Sequence, residues 1–241
     1  MNIFEYNPTT ALPFTGYSAG PGERPDQYLS LFHWIQSEKF RGVDDHLRRY
    51  LIGIDDLEIL QLEADGINER FVRPDWSEVE SRAIECGIWF QMTAHQHLYT
   101  SLMAAEELSC PDDVVTNAIL SFYNAQDEEY MRVAIVGPED FSDRDLIYES
   151  FSHIFSSVSP KVMYTIGQPG AAWVSECWAL EHYVPAIRLD AASDQDLVAL
   201  MSEQATHLID YSRNSNRSPL VEAMLEAFEQ QGKPARRIFR A

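Results

Sequence analysis

Basic side chains are scarce in this chain: 18 lysines and arginines stand against 38 aspartates and glutamates in 241 residues, a formal charge of −20. A protein that grips nucleic-acid phosphates presents a basic stripe, so direct nucleic-acid binding is disfavoured. Long apolar runs are missing too. With no stretch of about 18 apolar residues, nothing is expected to span a membrane. The opening MNIFEYNPTTALPF lacks the basic patch and apolar stretch of a secretory signal. Cysteine is sparse: Cys86, Cys110 and Cys177 are widely spaced and odd in number, most simply read as reduced thiols in a cytoplasmic protein. There is no internal repeat and no low-complexity tract. What is present is ordinary for a globular chain, 45% hydrophobic and 23% charged, and suffices for the core of one large domain or two smaller ones.

The acids are unevenly shared. Residues 1–130 hold 23 acids and 8 bases (−15), whereas residues 131–241 hold 15 and 10 (−5). Like charge keeps a soluble protein apart from its neighbours; the sharper reading is an acidic surface that mimics nucleic acid or docks on a basic protein partner. Residues 1–26 are rich in Pro, Gly, Thr and Ser and read as an extended arm. Residues 27–130 read as an acidic helical domain. Leu29, Leu31, Phe32, Trp34 and Ile35 give a first helical face, and further helices are expected from Asp44 to about Leu51 and through DDLEILQLEA, before Gly66. The longest helix is expected from Asp75 or Ser77 to about Leu108, with Ser77 and Glu80 in capping-box spacing. One more follows Pro111, and no segment of residues 27–126 alternates long enough to predict a strand. A homodimer is expected if this half leaves an apolar face uncovered.

From Tyr130 the pattern changes. MRVAIVG, KVMYTIG, PAIRL and HLIDY are short apolar runs and PARRIF reads as a last strand, all separated by helical segments. Strand, helix, strand, helix with short links predicts an α/β fold over residues 131–241: a Rossmann-like doubly wound parallel sheet, buried on both faces.

In such a sheet ligands sit beyond the carboxyl ends of the strands, where strand order reverses. Three loops are thereby selected: Gly137, Pro138, Glu139, Asp140, Phe141 and Ser142; then Gly167, Gln168, Pro169, Gly170, Ala171 and Ala172; then the stretch from Ser212 to Ser218. Glycines there let backbone approach a ligand, and the helix that follows offers unpaired N–H groups to an anion. Arg213 and Arg217 are the only basic side chains in the three loops and are natural phosphate partners, with Ser212, Asn216 and Ser218 beside them. Other constellations are weaker. His95 and His97 lie two apart on an expected helix and point away from each other, so no metal site is expected with Cys86. Cys177, beside Ser175 and Glu176, carries no nucleophile motif. The acidic cluster Asp127-Glu128-Glu129 reads as a solvated linker, lacking the alternation of a calcium loop.

Residues 131–239 resemble the YspA-like, YpsA-related branch of the SLOG superfamily. The matching positions are Gly137, Asp140 and Phe141 in the first turn, Gly167, Gly170 and Ala171 in the second, and Glu176, Trp178 and Ala179 on the helix after it. The resemblance implies binding of a nucleotide or nucleotide-derived ligand, with no further cofactor. Superfamily relatives include the LOG phosphoribohydrolases and the DNA-processing protein DprA, and members often sit in phage or defence contexts. The chain departs from the pattern where it has Glu139 for an arginine, Ile166 for a glycine, Ala172 for an aspartate, and Ser218-Pro219 for the final Gly-Thr. Glu139 replaces a phosphate contact with a repelling charge, and Pro219 removes an N–H from a helix start. Glu222 falls where the LOG enzymes place their catalytic acid. Because these changes thin out the phosphate donors, ordinary turnover is not expected. The alternatives are a non-enzymatic acidic interaction protein or inhibitor, and a divergent nucleoside-monophosphate phosphoribohydrolase using Glu222.

Overall fold

The computed structural model describes residues 2–17, 24–127, 129–213 and 215–239. Residues 18–23 of the expected arm, Glu128 of the acidic cluster and Asn214 of the third loop lie outside them. Proximity along the backbone divides the chain into two compact units, Met1–Gly16 with Pro25–Asn124, and Tyr17–Arg24 with Ala125–Ala241. Among the described residues no helix is long and apolar enough to cross a membrane.

In the first unit the stretch expected to be an arm supplies β1 (Ile3–Glu5) and β2 (Phe14–Thr15). Then come β3 (Gln27–Tyr28), α1 (Leu31–Glu38), α2 (Asp45–Ile52), α3 (Leu57–Gly66) and a 3-10 turn (Glu69–Phe71). α4 (Trp76–Ala94), α5 (Gln96–Met103), β4 (Glu107–Ser109) and α6 (Asp113–Asn124) complete it. β1 pairs with β4 in parallel and β2 with β3 antiparallel, so the expectation of an arm and a strandless stretch is corrected. Strands of two or three residues leave no period-two signature, and the partner of Ile3 is Glu107, far along the chain.

The single helix expected to reach Leu108 is corrected as well. It breaks at His95 (φ −125°, ψ 79°) between α4 and α5. There His95 Nε2 donates to the Pro13 carbonyl at 2.8 Å. One turn earlier Gln91 donates to the Leu12 carbonyl at 3.0 Å and accepts from the Tyr6 hydroxyl. The N-terminal segment thus takes hydrogen bonds from the last turn of α4 and from the residue at the break. The break also brings the His95 and His97 rings edge to face, with centroids 5.6 Å apart, rather than on opposite sides of one helix. Nor does Ser77 start the helix in a capping box; α4 begins at Trp76, behind Asp75.

Trp34 centres the aromatic core of this unit. It is fully buried, meets Tyr28 and Phe90 edge to face at 5.0 and 5.5 Å, and donates its indole N–H to the Ala83 carbonyl at 2.7 Å. Gly87 lets α4 come this close to α1: a Cβ there would lie 2.5 Å from Leu31 Cδ1 and 2.7 Å from Trp34 Cδ1.

The second unit alternates strand and helix: β5 (Arg132–Val136), α7 (Arg144–Ile154), β6 (Val162–Thr165), α8 (Ala171–Glu181) and β7 (Ala186–Arg188), then α9 (Asp194–Gln204), β8 (His207–Asp210), α10 (Pro219–Gln230) and β9 (Ala235–Arg237). All five strands are parallel, in the order β7-β6-β5-β8-β9. Counted from β5 this is 3-2-1-4-5, the order of a doubly wound Rossmann-like sheet. Right-handed crossovers put α7 and α8 on one face and α9 and α10 on the other, and those are the helix pairs in contact. β5 and β6 are buried along their whole length, as continuous apolar strands must be between two helical layers. Arg132 opens β5 yet is only 8% exposed. Its guanidinium donates to the carbonyls of Ala125, Gln126, Asp127 and Gln204, tying the entering chain to the amino end of the sheet.

Gly87→Ala is expected to destabilise the first unit by roughly 1–3 kcal/mol through overpacking, reversing the helix-propensity gain of about 1 kcal/mol. Urea denaturation measures it, and a more stable variant would contradict the close α1–α4 approach. Burial and the nearby Arg236 lower the His207 pKa. Its stabilising contribution is therefore full above the ordinary imidazole value of about 6.5 and is lost as pH falls through the depressed folded value. Acid titration of Tm should show that loss, and His207→Gln should flatten it.

Candidate functional site

β5 and β8 are neighbours in the sheet although they are the first and fourth strands, and Val136 stands opposite Asp210 at their carboxyl ends. Strand order reverses here, and the chain leaves β5 and β8 toward opposite faces. The crevice between those departures is where a doubly wound sheet receives a ligand.

The first two selected loops meet each other. Gly137 follows β5, and a Cβ on it would lie 2.7 Å from Ala171 Cβ and 3.1 Å from Tyr211 Cβ. Gly170 caps α8 with φ +78°, a backbone region open to glycine, and a Cβ there would lie 2.2 Å from the Pro138 carbonyl oxygen and 2.7 Å from that of Glu139. Gly170 therefore admits the backbone of the first loop, whose carbonyls crowd the start of α8. Gly167 (φ +68°) likewise makes room for a side chain, with Arg188 Cδ 3.1 Å from its would-be Cβ. Gln168 is half-buried, Ala171 is buried, and Glu139 and Asp140 are exposed.

Two buried carboxylates with arginine partners lie at these strand ends, and neither pairing was anticipated from sequence. Asp210, fully buried at the end of β8, accepts from the Ser212 backbone N–H at 2.7 Å and from Arg217 Nε at 3.2 Å. Arg217 has a side chain only 8% exposed. Glu176 on α8 accepts from Thr165 Oγ1 at 2.7 Å and from Arg188 Nη2 and Nε at 2.6 and 3.0 Å. That pair locks α8 to β6 and β7. A signal existed in each case: an ionisable residue closing an otherwise apolar strand, as Arg188 closes AIR and Asp210 closes HLID, has to find a buried partner.

The third loop splits. Arg217 turns inward to Asp210, while Arg213 is exposed, its backbone N–H held by Asn216 Oδ1 at 2.8 Å. Ser218 caps α10, accepting from the Val221 N–H, and Pro219 opens that helix. Glu222 is exposed in its first turn. Ser212 is buried, and among the described residues its Oγ and Arg217 Nη2 are buried polar atoms without a hydrogen-bond partner. Tyr211 packs against the first loop, its ring 5.4 Å from that of Phe141 and its hydroxyl 2.6 Å from Ser150 Oγ; burial pushes its pKa up. Burial also raises the Cys177 pKa, the opposite of what a thiolate nucleophile needs. Ser175 donates to the Ala171 carbonyl at 2.8 Å.

Comparison with protein-family profiles, with curated proteins and with solved structures finds nothing that matches this chain, so the reading of the site rests on its own residues.

Gly170→Ala is expected to cost roughly 1–3 kcal/mol, from the left-handed backbone together with a collision against a carbonyl that cannot step aside. Thermal unfolding tests this; a change below about 0.5 kcal/mol would mean that the two loops do not meet there.

Proposed function

We propose that the second unit binds a phosphate-bearing nucleotide or nucleotide-derived ligand at the carboxyl ends of β5 and β8, without ordinary turnover. The observation that carries this reading is the donor pair Ser212 Oγ and Arg217 Nη2, buried at the strand-order reversal with no acceptor among the described residues. A buried donor left unsatisfied costs roughly 1–3 kcal/mol, and phosphate oxygens are acceptors well matched to a guanidinium and to a hydroxyl. Both atoms are shielded from solvent, so an anion reaches them by a local movement at the strand ends. The resemblance to the SLOG superfamily over residues 131–239 points to the same class of ligand.

The reading without ordinary turnover is supported by how the buried carboxylates are used. A hydrolase acting at a glycosidic carbon needs a carboxylate free to stabilise or activate that centre. Asp210 and Glu176, the acids buried at the strand ends, are both held by arginines. Glu222 is exposed, in a helix turn that begins with proline.

Thermal-shift measurements with nucleoside mono- and diphosphates and cyclic dinucleotides at millimolar concentration test the proposal. At least one should raise Tm, as a ligand at about 100 times its Kd stabilises by about 2.7 kcal/mol. Ser212→Ala separates the effects: the free protein should be no less stable, since a buried unsatisfied hydroxyl is removed, while the ligand-induced shift shrinks. No stabilisation by any nucleotide, or a full shift in Ser212→Ala, would overturn the reading.

A further inference from the structure

Helix α3 buries one side and leaves an unusual surface on the other. Leu60 is fully buried with Phe40 and Leu51, and Leu57 and Phe32 pack against them. The outward face of such a helix is ordinarily polar. Here Leu62 is 73% exposed, the most exposed of the large hydrophobic side chains described, and Ile59 is 49% exposed. Beside Leu62 runs a groove of about 560 Å³ lined by Thr9, Phe32, Leu57, Glu58, Gln61 and Leu62. Its floor is fixed, because Phe32 and Leu57 are held by the core beneath them.

Charge says what can lie in it. From Tyr50 to Glu69 the chain carries Asp55, Asp56, Glu58, Glu63, Asp65 and Glu69 and no lysine or arginine, and all six acids are exposed. An apolar lining edged by Glu58, with Asp65 accepting from the lining Gln61, is complementary to a helix with apolar anchors at i, i+3 and i+4 and lysines or arginines flanking them. A second copy of this chain would bring the same six acids against the first set, and nucleic acid or an anionic lipid surface would be repelled likewise. We infer that the α3 groove is a docking surface for a basic amphipathic helix of a partner protein.

The test uses the full chain and a fluorescein-labelled synthetic peptide of about 18 residues built from leucine and lysine, with leucines on one helical face. The control has the same composition in scrambled order. At about 0.15 M salt, where the screening length is about 8 Å, the patterned peptide should bind at least ~10-fold more tightly by anisotropy. Leu62→Glu should lose that advantage although it adds an acid, and its circular dichroism should be unchanged because the residue is exposed. Glu58→Gln should weaken binding a few-fold and reduce its salt dependence. Equal binding of the scrambled peptide would reduce the effect to general attraction by an acidic chain and overturn the inference. Undiminished binding to Leu62→Glu would place the surface elsewhere. Concentration-dependent dimerisation in sedimentation, abolished by Leu62→Glu, would make the occupant a second copy instead.

Discussion

Asp210 is the constraint around which the carboxyl end of the sheet is organised. β8 runs apolar through Leu208 and Ile209 and then places a carboxylate where no solvent reaches it. A buried charge is tolerated only with partners. Arg217 Nε and the Ser212 N–H meet the side chain, and the Ile238 N–H takes the backbone carbonyl at 2.9 Å, holding the exit from β9. Arg217 thereby folds back onto Asp210. That geometry buries Ser212 Oγ and Arg217 Nη2 without acceptors and presses Tyr211 against Gly137. Beyond β5, Glu176 and Arg188 do the corresponding work for β6 and β7. An arginine–carboxylate pair therefore ties together each half of the strand-end surface.

The second unit was legible in the sequence because its signals are local. Four apolar runs and the basic PARRIF segment became five strands, the last exposed at each residue, and short links forced the helices between them into parallel crossovers. The first unit was less legible because its decisive contacts are not local. Nothing near His95 announces that its ring will reach Pro13, nor does a three-residue strand near the start announce a partner at Glu107. At the site, the loops were found from strand ends and glycines, but the use of those glycines was not. Gly170 has the positive φ its residue type allows, and the space it frees is filled by the carbonyls of Pro138 and Glu139. Arg213 and Arg217 looked equivalent as phosphate partners. Only the burial of Asp210, invisible in a composition or a spacing, separates the inward one from the outward one.

The two units also divide the chemistry. The first carries most of the excess acid on its surface and spends several of its arginines internally, as in the buried Arg48, which donates to Asp26 at 2.7 Å and to the Tyr28 hydroxyl at 3.1 Å. Its exposed faces offer carboxylates and a few leucines, chemistry suited to a basic protein surface. The second keeps its buried donors at the strand ends, chemistry suited to a small anion.

The most direct measurement is a crystal structure of the wild-type chain grown with the nucleotide that gives the largest thermal shift. The expected result is a phosphate within hydrogen-bond distance, about 2.7–3.2 Å, of both Ser212 Oγ and Arg217 Nη2, with the Asp210–Arg217 pair intact. A nucleotide bound away from the carboxyl ends of β5 and β8, with both donors still without acceptors, would contradict it.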